Sequence, residues 1–155
     1  MTIRAHALRL PPGSDLRAAL EAAAREREVA AGCILTCVGS LIRTRLRMPG
    51  AAGAAERFLD LDEPAEIVSL AGTLGQGGAH LHLAVSRTDG ACVGGHLVEG
   101  CIVHTTAEVV IGDLPQVEFR RAFDAATGYA ELSVRDERGE PLPCPSVASG
   151  RPGRR

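Results

Sequence analysis

Two histidines stand one residue apart in GGAHLHLAV, residues 77–85, and a third follows a glycine pair in VGGHLVEG, residues 93–100. Imidazole is the commonest metal ligand among side chains, so the question is whether the three rings meet. In a strand, residues two apart share a face, which points His80 and His82 one way and Leu81, Leu83 and Val85 the other. Between the two segments lies RTDGA, residues 87–91, a hairpin signal. A two-residue Asp89-Gly90 loop would set His96 opposite Leu83 and mix an imidazole into the apolar face. A three-residue Thr88-Asp89-Gly90 loop with Gly90 left-handed pairs His96 with His82, Val93 with Val85 and Leu97 with Leu81. Only the second keeps both faces consistent. Opposed Cβ atoms then lie ~5 Å apart and next-but-one neighbours about 7 Å, within reach of one ion at ~2.1 Å from each nitrogen. Gly94 and Gly95 leave open space beside the rings, or else mark a bulge that shifts the register.

Three neutral imidazoles with an open fourth position suit a divalent transition metal, Zn²⁺ first. The plainer reading of an H-x-H pair is two polar residues on a solvated strand face, and it is the convergence of His96 that lifts the metal reading. Around this set stand candidates for supporting or basic roles. His104 shares a strand face with Thr106 and Glu108, and Glu99 follows His96 by three residues. Each could orient a ligand or act as base on a metal-bound water, making a small metal-dependent hydrolase or ligand sensor the alternative to a plain metal-binding module. A solvated turn or surface position is the ordinary reading of all three. Cys92 and Cys101 flank the glycine pair as soft donors, with packing the simpler role. No G-x-S-x-G occurs, and GTLGQGG lacks the lysine of a P-loop. The catalytic residues, if any, are not legible.

The elements that must position these residues read as follows. IRAHALRL alternates as a strand; Ser14 or Asp15 caps a helix with Leu16, Ala19, Leu20 and Ala23 at helical spacing. AGCILTCVGSLIRTRLRM reads as two strands meeting near Gly39. ERFLDL, AEIVSLAGTL, AHLHLAVSR, CVGGHL, CIVHTTAEVVIGDL and VEFRRAF follow as strands separated by turn residues. One helix and a run of strands predict an α+β domain, mostly antiparallel sheet packed with that helix. Residues 1–134 form the domain, and the Pro/Gly/Arg-rich residues 135–155 a flexible tail.

At 155 residues the chain fits one domain. Its net charge of -2, with every basic side chain an arginine, lacks the basic excess of a dedicated nucleic-acid binder. Five cysteines without a C-x-x-C pair, and no signal-like opening, predict reduced thiols in the cytoplasm. No apolar run approaches the ~18 residues that span a bilayer, so no membrane partner is expected.

EIVSLAGTL, then HLHLAVSRTDGACVGGHLVEGCIVHTTAEVVIG, and the later FDAATGYAEL resemble the plants-and-prokaryotes-conserved (PPC) domain, from the first strand to about residue 134. The resemblance implies a homotrimer of antiparallel strands packed with a helix. It also implies a metal held, as in bacterial members, by the histidines matching His80, His82 and His96. Bacterial members are commonly described as predicted DNA-binding proteins, a label inherited from plant relatives whose AT-hooks lie outside the domain. An AT-hook needs Arg-Gly-Arg-Pro to enter the narrow minor groove. Here SGRPGRR supplies Gly150, Arg151 and Pro152, but Ser149 stands where the first arginine belongs. Arg43, Arg45 and Arg47, on one strand face, are a second candidate contact for DNA or another anion, and a charged sheet edge is their plainer reading.

Overall fold

The computed structural model describes residues 2–50 and 55–143. In chain order these form β1 (Arg4–Leu10), α1 (Leu16–Glu26), β2 (Ala31–Met48), β3 (Arg57–Leu61), β4 (Ala65–Gly75), β5 (His80–Ser86), β6 (Cys92–Leu97), β7 (Ile102–Asp113), β8 (Val117–Asp124) and β9 (Tyr129–Asp136). The main sheet runs β1-β7-β2-β4-β5-β6, antiparallel throughout, with β3 on the end of β2. β2 also meets β6 through Leu46–Leu97 and Arg47–His96, closing β2, β4, β5 and β6 into a ring of strands. The predicted α+β architecture is therefore what the chain adopts.

The expectation of two strands meeting near Gly39 needs correction. β2 is one strand of 18 residues, whose first part lies between β7 and β4 and whose last part lies between β3 and β6. The chain bends without breaking, through register shifts around Ile34–Thr36 and Gly39–Arg43. At Gly39, φ is +145° and a Cβ would fall 2.1 Å from the Thr106 carbonyl oxygen, so glycine admits the close crossing of β7.

The helix forms where its apolar spacing predicts. Leu16, Leu20 and Ala24 join one buried cluster with Leu41, Leu46, Leu81, Leu97 and Val103 of the sheet, and Ala23 is buried as well. Each fully buried leucine contributes roughly 1.5–3 kcal/mol before ordering costs. Asp15 is the N-cap: one carboxylate oxygen accepts from the Ala18 N–H (3.0 Å) and the other from the Gly100 N–H (2.6 Å), tying helix to the turn before β7. Glu28, at φ 54°, ends the helix in the left-handed region. Asp15→Ala removes both bonds, and we expect a loss of about 2 kcal/mol in urea denaturation, against a much smaller loss for Asp15→Asn, which keeps a capping oxygen.

A strand the sequence reading did not assign, β9, pairs with β8 in a separate two-stranded sheet. This hairpin is seated on the turn after β4: Cβ atoms at Gly75 and Gly77 would come within 2.7 Å of the Phe119 Cβ and the Arg121 Cγ, and the Phe119 N–H donates to the Ala30 carbonyl (3.0 Å). Past β9 the chain turns back, with the Leu142 N–H donating to the Val134 carbonyl at 2.8 Å. Gly72, Gly75 and Gly77 of GTLGQGG thus make room for a neighbouring backbone.

Candidate metal centre

The turn between β5 and β6 is the three-residue loop. Arg87 and Ala91 close it, Gly90 sits at φ +82°, and the Asp89 carboxylate accepts from the Ala91 N–H at 2.9 Å. The register that follows is unbroken from Ser86–Cys92 through Val85–Val93 to His82–His96, so the glycine pair makes no bulge. At that point β6 turns to β2, and Leu97 pairs with Leu46. Nor is the space beside Gly95 open: a Cβ there would lie 2.5 Å from the Met48 methyl, because the end of β2 closes over it.

One row of the sheet consequently runs Arg47, His96, His82, Ala71 across β2, β6, β5 and β4, with His80 on the same face beside Thr73. The three imidazole centroids are separated by 5.2, 5.2 and 5.6 Å, and one ring nitrogen from each lies within 4.8 Å of the others. Two cavities meet at the rings. One, of about 490 Å³, is walled by Arg47, Met48, Tyr129 and the triad; the other, of about 350 Å³, by Thr73, Arg121, Glu131, Leu132, His80 and His82. Three nitrogens converging beside open volume fit a divalent ion of borderline softness with a coordination position left for a small ligand.

Burial and nearby guanidiniums favour the neutral form of two of the donors, His96 and His80. Burial, then the Arg47 guanidinium, pushes His96 down to about 4. Burial and Arg121 lower His80 as well, with Glu131 working the other way. A neutral imidazole has its lone pair available for metal without releasing a proton. The same fact has a stability consequence in the metal-free protein. The unfolded chain takes up a proton at the ordinary histidine value of 6.5 that the folded His96 refuses until about 4, so its contribution is intact above 6.5 and is lost as pH falls through that window. Between pH 7.5 and 4.5, urea midpoints should shift in favour of His96→Gln relative to wild type; a constant gap would contradict this.

Support comes from a residue the sequence reading missed. Arg17 of α1 donates to the carbonyls of Leu97 (2.7 Å) and Ala79 (3.2 Å), the residues adjoining His96 and His80, while Glu21 holds the same guanidinium at 3.1 Å. Sequence distance hid it: the bonds span 80 and 62 positions. Arg121, Tyr129 and Glu131 were likewise missed, since they arrive on the β8–β9 hairpin.

The other sequence candidates lie elsewhere. Glu99 is exposed in the turn after β6, and His104 and Glu108 are exposed on β7; none lines either cavity at the triad. Glu108 faces Val38 and Arg9 in the register, toward the β1 side of the sheet. Arg43, Arg45 and Arg47 do form a stripe, but each faces an acid: Asp62 at 3.2 Å, Asp60 at 3.7 Å and Glu56 at 3.0 Å. Arg45 also lies 4.6 Å over the Phe58 ring. Arg151 lies outside the described residues. Cys92 is exposed and outside the cluster. Cys101 is buried, its thiol pushed up to about 11 chiefly by burial, and its sulfur exchanges hydrogen bonds with the Arg45 backbone.

Fold and site together define a β-rich domain that presents a convergent three-histidine cluster on one sheet face. The chain belongs to the Plants and Prokaryotes Conserved (PCC) domain family, which matches residues 1–115. It is 43% identical over 149 residues to the bifunctional protein GlmU of Synechococcus sp. (strain JA-3-3Ab), covering 96% of this chain but 23% of that one. Among solved structures, a hypothetical protein from Salmonella enterica shares 42% identity and a TM-score of 0.81, over 88% of this chain and 96% of its own. A metal-containing protein from Archaeoglobus fulgidus shares 27% identity and a TM-score of 0.73, over 83% and 92%. Structures at 22% and 18% identity, described as candidate DNA-binding proteins, show the shared fold alone. No helix of the described residues is long and apolar enough to cross a membrane.

Proposed function

We propose that this chain is a metal-binding module that holds one divalent transition ion, Zn²⁺ first, on His80, His82 and His96, and works as a homotrimer. The observation that carries the reading is the approach of three ring nitrogens to within 4.8 Å beside open cavities. The metal-containing Archaeoglobus relative supports it. Neither Glu99 nor Glu108, the two bases named for a metal-bound water, lines the cavities; the carboxylates that do are Glu56 and Glu131. Support for self-association comes from large apolar side chains exposed on β2 and β4, Leu35, Val38, Ile42 and Val68, 40–57% exposed in the single chain. The arginine stripe lends DNA binding no help, since its charges are locally matched. Elemental analysis of purified protein should find about one zinc per chain, and light scattering three times the chain mass. Metal-free protein after growth and purification with zinc would refute the first half, and a monomer the second.

A further inference from the structure

The β8–β9 hairpin lies beyond the residues matched by the family, yet it delivers three polar side chains to the triad: Arg121 and Glu131 to the smaller cavity, Tyr129 to the larger. Arg121 is the informative one. Its guanidinium donates to the Thr73 hydroxyl at 3.2 Å, and no carboxylate of the described residues lies within 4.0 Å of it. The other guanidiniums near the triad differ: Arg17 is held by Glu21 and Arg47 by Glu56. Arg121 is also half-buried, with its stem packed into the seat that Gly77 leaves. A partly desolvated guanidinium with spare donors, aimed into a cavity of about 350 Å³, lacks an anion.

We propose that the cavity between Arg121, Glu131 and the histidine triad is a binding site for a small carboxylic acid bearing a hydroxyl or amino group. The proposal rests on the metal reading above and adds the ligand to it. A carboxylate matches the planar fork of Arg121 through two parallel hydrogen bonds, which a point-charge cation would not select. Its charge is called for twice, because a divalent ion on neutral imidazoles and an unpaired guanidinium leave the cavity positive even after Glu131 is counted. Glu131 sets the other half of the specificity. As an acceptor on the same wall, it repels a ligand that is anionic along its length and takes a hydrogen bond from a hydroxyl or ammonium group. A cavity of about 350 Å³ admits an acid of a few carbon atoms with room to spare.

Lactate is a suitable probe, compared with propionate, which lacks the hydroxyl, and with inorganic phosphate. Calorimetric titration of zinc-loaded wild type should show saturable lactate binding tighter than propionate or phosphate. Arg121→Gln, which keeps a donor for Thr73, should weaken lactate at least 10-fold with zinc content unchanged, and Arg121→Lys should fall between. Equal affinity in Arg121→Gln, absence of lactate binding by zinc-loaded wild type, or preference for phosphate would overturn the proposal. Loss of zinc in both variants would do the same, since Arg121 would then serve the triad itself. Should wild type refuse zinc, the metal reading fails by itself. The lactate titration of the metal-free chain then decides the anion site, with the same 10-fold loss in Arg121→Gln required.

Discussion

His96→Ala should empty the metal centre, taking zinc from about one per chain to less than a tenth while the protein remains folded. The remaining rings, His80 and His82, stand on one strand, and two neutral ligands hold zinc far more weakly than three. Disturbing a mere outer partner of a zinc ligand already costs 10–100-fold in affinity, so losing the ligand itself should cost more than about 100-fold. The fold should tolerate the change because His96 sits on the outward face, opposite the buried Leu97, and the β5–β6 register is anchored by Val85–Val93 and the Gly90 turn. His104→Ala is the matched control: an exposed imidazole on β7, away from the cluster, whose removal should leave zinc in place. Elemental analysis beside circular dichroism separates the outcomes. Full zinc in His96→Ala would end the three-histidine reading, and zinc loss in His104→Ala would move the site.

Gly72→Ala should be, with Gly39→Ala, among the most damaging methyl additions at the glycines of the described residues. At Gly72, φ is +139°, and the new Cβ would lie 2.0 Å from the His80 carbonyl oxygen and 2.9 Å from the Leu81 Cα. Both obstacles are backbone, so no side-chain rotation relieves them. Backbone strain at such a dihedral costs roughly 1–3 kcal/mol, and overpacking roughly as much again. Against a typical stability of about 5–15 kcal/mol, a loss of about 3–5 kcal/mol should lower Tm by roughly 10 °C. Because the atom struck belongs to His80, the variant should also bind zinc more weakly than its residual fold predicts. Gly90→Ala isolates the dihedral from the collision: its φ is +82° but nothing lies within 4 Å, so a loss of about 1 kcal/mol with zinc retained is expected. Calorimetric melting of both variants tests the comparison; similar Tm values would show that the close approach at His80 carries no weight.

These expectations divide along the line between what is written locally and what is assembled. The alternation of His80 and His82 against Leu81, Leu83 and Val85, the Thr88-Asp89-Gly90 turn and the apolar partner on β6 determined a register, and with it the meeting of His82 and His96. The Asp15 cap and the Leu16–Leu20 spacing determined the helix in the same way. Periodicity and turn chemistry act over a few residues, so they are legible in order along the chain. The unbroken course of β2 was not, because a strand that bends through register shifts at Gly39 carries the same local signal as two strands with a turn between them.

Tertiary structure alone decided the rest of the site. Arg17 reaches the carbonyls of Ala79 and Leu97 only because α1 packs across the sheet, and Arg121 and Glu131 reach the triad only because the β8–β9 hairpin sits on Gly75 and Gly77. It also decided against Glu99, His104 and Glu108 as neighbours of the rings, although sequence proximity favoured the first. The physical reason is one of range: hydrogen-bonded pairing propagates from a tight turn to the next strand, whereas contacts between separately folded elements depend on how whole faces pack, and no short stretch of residues encodes that.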